Sequence, residues 1–139
     1  MTMTKKMALV LLGAVLSLDG ATFSMAHEGH DKTPGSVQAP HGGVVQGTNS
    51  IYLELISDAA GIKLFPLTHA LVPIALKDVS LSATSQVPKK SKTPVKFTEV
   101  GDHYEAKVEA KGAYRYALDV ATDYKGKKEK LTFQVEPQN

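Results

Sequence analysis

The chain has 139 residues, a formal net charge of +2, 42% hydrophobic and 22% charged residues, and no cysteine. That length holds one domain at most, and charges of both signs scattered along it give no electrostatic case for nucleic acid. An oxidising compartment can add no disulfide, so the fold must stand on its hydrophobic core.

Lys5 and Lys6 open the chain, an apolar and small-residue run extends from Met7 to Leu18, and Ser24-Met25-Ala26 comes after it. A basic start, a short apolar run and a small-x-small site make a secretory signal, and the run is too short to span a bilayer as a helix. The alternative is a retained N-terminal anchor. Cleavage after Ala26 predicts a signal peptide over 1–26, a flexible His-containing tail over 27–40 and a β-sandwich domain over 41–139. Met1, Met3, Met7 and Met25 are the only methionines and all precede that cut. The remaining chain then has neither thiolate nor thioether, the soft ligands that select Cu(I). A metal bound to it must be held by imidazole, carboxylate, amine or backbone oxygen, which points to Zn, Co, Ni or Cu(II).

Glu28 to Pro40 is polar and carries Pro34, Gly35 and Pro40; such a segment buries too little surface to order itself. Beyond it the hydrophobic period is two. Ile51, Leu53 and Leu55 alternate with Tyr52 and Glu54, Asp58-Ala59-Ala60-Gly61 supplies a turn, and Ile62 and Leu64 alternate with Lys63 and Phe65. Pro66 and Pro73 confine the stretch around them to edge or irregular strand, since each removes a ladder donor. Val79, Leu81 and Ala83 alternate with serines and threonine in a further strand. The Val87–Pro94 loop is charged and bounded by prolines; its Lys89, Lys90 and Lys92 suit either a solvated loop or anionic lipid.

Val95–Val100 and His103–Ala110 flank Gly101-Asp102, a two-residue turn with Gly first. In the last hairpin Tyr114, Tyr116, Leu118 and Val120 share a face, Lys125-Gly126-Lys127 marks the turn, and Leu131, Phe133 and Val135 answer on the return strand. Seven or eight short strands with regular turn signals predict an all-β, antiparallel immunoglobulin-like sandwich. Gly112-Ala113-Tyr114 resembles the tyrosine corner of such domains.

The histidines carry the candidate chemistry. His27, as a new N-terminus, would offer an amine and Nδ1 to one ion, with His30, Asp31 and Glu28 close by in sequence. His41, in Pro40-His41-Gly42-Gly43, is either the anchored ligand on which the tail folds back or a turn residue whose ring caps the sandwich edge. His69 sits at the far end of the first hairpin from His41. His103 and Glu105 read as an ordinary surface pair or a second site. Catalysis finds no actors: no nucleophile-elbow serine, no cysteine, no singled-out carboxylate pair and no phosphate-binding glycine loop.

Pro40-His41-Gly42-Gly43-Val44, the alternation Tyr52-Leu53-Glu54-Leu55, Ile62-Lys63-Leu64-Phe65 and the later Pro73-Ile74 are together similar to a recurring domain. It lies near the N-terminus of periplasmic adaptor subunits of heavy-metal efflux pumps of the resistance-nodulation-division class. The similarity runs from Pro40 to Glu136. It implies a periplasmic β-sandwich that binds or senses divalent ions or docks on efflux machinery, with His41 as the one residue carried over. The chain lacks the helical hairpin and lipoyl-like segments of a whole adaptor, so the expected role is that of an accessory.

The sequence supports two functions. One is a periplasmic metal-binding protein, not an enzyme, buffering or delivering Zn, Co, Ni or Cu(II), with His27, His30 and His41 as ligands and Glu28 and Asp31 in support. Its partner would be an efflux-pump adaptor or another periplasmic protein. The other is a non-metal interaction module, because Phe65 and Leu67 project from the face opposite Ile62 and Leu64 and must be covered by something.

Overall fold

The structure, a computed structural model, describes residues 37–138. The expected signal peptide and its cleavage site, and the candidate ligands His27, Glu28, His30 and Asp31, lie outside the described residues. Among the described residues no helix is long and apolar enough to cross a membrane.

Among the described residues, nine antiparallel strands form two packed sheets. They are β1 (Val44–Gly47), β2 (Tyr52–Asp58), β3 (Gly61–Leu67), β4 (Val79–Gln86), β5 (Thr93–Val95), β6 (Thr98–Val100), β7 (His103–Ala106), β8 (Tyr116–Tyr124) and β9 (Lys127–Val135). One sheet runs β1-β2-β3-β7-β6 and the other β5-β4-β8-β9. The sequence predicted seven or eight strands. The count rises because Val95–Val100, expected as one strand, changes sheets. Val95 pairs with Ala83 in the four-stranded sheet, and three residues later Thr98 pairs with Glu105 in the other. Phe97, at the crossing, packs edge-on against Tyr104 with centroids 5.8 Å apart.

Two-residue turns set the hairpin registers. Gly101 takes φ +60 between Val100 and its partner His103, as a Gly-first turn requires. Lys125 and Gly126 both have positive φ between the paired Tyr124 and Lys127, the backbone of a type I′ turn. Asp58 Oδ1 accepts a hydrogen bond from the Ala60 amide at 2.8 Å and fixes the β2–β3 turn.

The inner faces close on one another. Leu53, Leu55, Ile62, Leu64, Tyr104 and Ala106 of one sheet meet Val79, Ala83, Leu118, Val120, Phe133 and Val135 of the other in a single buried cluster. Tyr104 crosses the gap and donates its hydroxyl to the Val79 carbonyl at 2.9 Å. Tyr114, expected to share a face with Tyr116, Leu118 and Val120 and likened to a tyrosine corner, is instead 79% exposed and precedes β8. The alternation into the core begins only at Tyr116.

Pro66 lies inside β3, but where β3 is locally an edge, as expected of a residue with no ladder donor. β3 pairs with β7 only through Ile62–Leu64, so at Pro66 the ladder partner is β2 alone. The Ile74 amide instead donates to the Pro66 carbonyl at 2.9 Å.

Candidate functional site

The outer face of the five-stranded sheet carries a second, smaller apolar layer. Tyr52 and Glu54 of β2 point there, as do Phe65 and Leu67 of β3, their registered partners. Val45 of β1 lies opposite Glu54. The chain covers this face itself: Val37, Ala39 and Leu71 pack against Val45, Tyr52 and Leu67. Phe65 and Leu67 end up 7% and 1% exposed.

Glu54 is the anomaly in that layer, a carboxylate at 0% exposure. An ionised carboxylate removed from water needs hydrogen-bond donors around it, and the His-Gly-Gly segment supplies them. Oε1 accepts from the His41 amide at 2.8 Å and from the Gly43 amide at 2.9 Å, while Oε2 lies 2.8 Å from His41 Nδ1. The two glycines make this wrap sterically feasible. Gly42 has φ +77, and a Cβ on Gly43 would stand 2.3 Å from the Leu55 carbonyl oxygen. Each residue of His41-Gly42-Gly43 therefore has a separate physical task in closing over one buried acid.

The contact also sets the imidazole. With two backbone amides already donating to the same carboxylate, Nδ1 is the donor to Glu54. A neutral ring then keeps its lone pair on Nε2. The His41 side chain remains 33% exposed. Its ring stacks on Phe65, with centroids 3.9 Å apart and planes 19° from parallel. His41 thus caps the sheet face, as one of the two readings of the sequence has it, with a third of its side chain exposed.

His103 stacks on the same Phe65 at 4.6 Å, but its chemistry is different. Nδ1 lies 3.0 Å from Asp102 Oδ1 and Nε2 lies 3.0 Å from Glu105 Oε1. With a carboxylate at each nitrogen, the site favours the protonated ring, which alone can donate from both nitrogens. Burial pulls the His103 pKa down, but the hydrogen bonds to Glu105 and Asp102 outweigh it and the net shift is upward. The hydrogen bond from His103 holds Asp102 below its usual range.

A pKa raised by folding stabilises the protein below the unfolded value, near 6.5, and that stabilisation is lost as pH rises through the folded value. Wild type should therefore lose stability relative to His103→Gln as pH is raised from about 6 through 8. Urea midpoints of the two proteins at each pH check this; a constant difference between them would contradict it.

His69 is apart from both. Its Nε2 donates to the Thr48 carbonyl at 3.2 Å and its ring meets Tyr52 edge-on at 4.7 Å. Among the described residues no three His, Asp or Glu side chains converge at metal-binding spacing. Of the five candidate ligands, the described residues include His41 alone, and they give it a partner that sequence reasoning missed. The signal was a lone acid at Glu54 on a face otherwise built from Tyr52, Phe65 and Leu67.

Compared with known proteins, the chain matches no family model, no curated protein and no solved structure.

Proposed function

We propose that the protein is a periplasmic accessory that binds divalent metal ions, buffering or delivering them in heavy-metal efflux. The observation that carries this reading is the buried Glu54 carboxylate held 2.8 Å from His41 Nδ1. Imidazoles that bind metals commonly donate their other ring nitrogen to a carboxylate, which fixes the tautomer, orients the ring and raises its basicity. Here that outer partner is built into the sheet, and a neutral His41 ring bonded to it through Nδ1 keeps its lone pair on Nε2, on a side chain one-third exposed.

One imidazole does not make a site. The donors that would complete it are His27, His30, Glu28 and Asp31, which precede His41 in sequence. Imidazole and carboxylate together suit Zn, Co, Ni or Cu(II). The interaction-module reading has less support, because the chain's own residues cover Phe65 and Leu67.

The test is calorimetric titration of the full-length protein with Zn(II) and Cu(II), alongside a His27→Ala/His30→Ala/His41→Ala variant. Saturable binding by the parent and its loss in the triple variant is the expected result. A variant that binds as tightly as the parent would end the proposal.

A further inference from the structure

One end of the sandwich carries a concentration of positive charge that the metal-binding reading does not use. Gln86, the last residue of β4, pairs with Ala117 near the start of β8. The loop after β4 and the segment before β8 therefore emerge side by side. The first holds Lys89 and Lys90, the second Lys107 and Lys111, all exposed. Lys90, Lys107 and Lys111 line one open depression of about 290 Å³, in which Glu109 is the only carboxylate.

None of these four lysines takes part in an ion pair among the described residues. Lys92, in the same loop, is bound to Asp119 at 2.9 Å, and Arg115 to Glu136. What sets these four apart is their clustering at one end of the sandwich, three of them around one depression. Lys89 and Lys111 moreover occupy left-handed backbone positions, with φ of 62 and 50, where glycine or asparagine is the usual residue. Tyr114, three residues beyond Lys111, is 79% exposed.

We infer that this end docks on the headgroups of anionic phospholipid. Unpaired lysines on long stems are attracted to a negative lipid surface as point charges, without a defined partner geometry. An exposed tyrosine places its ring at headgroup level with its hydroxyl in water. A specific acidic protein would be better met by arginine forks around fixed hydrogen-bond donors, and the cations lining this depression are all lysines.

The experiment is co-sedimentation of the full-length protein with phosphatidylglycerol–phosphatidylcholine vesicles and with phosphatidylcholine vesicles alone. The N-terminal apolar run is common to every variant, so the readout is the difference between the two vesicle types. Wild type should bind the anionic vesicles more tightly, and the preference should shrink as salt is raised.

Lys90→Glu/Lys107→Glu/Lys111→Glu should lower the anionic preference by at least about a hundredfold, with an unchanged far-UV spectrum and melting temperature. Tyr114→Ser should weaken binding several-fold and leave the salt dependence intact. Equal binding to both vesicle types, or an anionic preference that survives the triple substitution, would overturn the inference. So would lysine-dependent binding to polyglutamate without any vesicle preference, which would assign the patch to an acidic protein.

Discussion

Glu54→Ala is expected to lower the stability of the sandwich by about 3 kcal/mol, mostly by orphaning donors. The substitution leaves the His41 and Gly43 amides and His41 Nδ1 without the acceptor they share. It also frees the segment that roofs Val45, Tyr52 and Leu67. For a domain of this size the melting temperature should fall on the order of 10–20 °C. Glu54→Gln keeps an acceptor oxygen for the amides and should cost less, and the gap between the variants measures what the charge adds. Thermal unfolding followed by circular dichroism checks both. A fall under about 1 kcal/mol for the alanine variant would mean that the segment is not pinned by this acid.

Phe133→Ala should cost about 3–5 kcal/mol. Phe133 is 1% exposed and is among the largest fully buried side chains in the cluster between the sheets. It projects from β9, which pairs only with β8, at the edge of its sheet. Truncation therefore opens a cavity where little backbone can move in to fill it, since β9 is held through nine registered pairs with β8. The urea midpoint should fall with the m-value unchanged, because the surface exposed on unfolding is nearly the same. A loss below about 1.5 kcal/mol, the range of volume-conserving swaps, would show that the two inner faces are not closely packed.

Much of this fold was legible from alternation and turn chemistry. Leu53, Leu55, Ile62 and Leu64 were placed on one face by period alone, and they form the core. Gly101 and Gly126 marked their turns because the backbone there needs positive φ. Alternation failed where a strand changes sheets. Val95 and Thr98 belong to different layers, and nothing in a two-residue period says which sheet a residue joins.

The likeness of Gly112-Ala113-Tyr114 to a tyrosine corner rested on local spacing alone, and Tyr114 lies ahead of β8 and outside the core. The site was half legible. His41 stood out by residue type and by its glycines, but Glu54 was hidden in an apolar alternation that made it look like an ordinary outward-facing strand residue. Its role appears only when a segment eleven to thirteen residues upstream folds back over it.

The most direct test of the account is a long-range ¹H–¹⁵N spectrum of the histidine rings, recorded on the full-length protein as Zn(II) is added. Before metal, His41 should read as the Nδ1–H tautomer that Glu54 enforces, and on titration its Nε2 resonance should shift until one equivalent is bound. An Nε2–H tautomer at the start, or an Nε2 signal unmoved when the protein is saturated with metal, would contradict it.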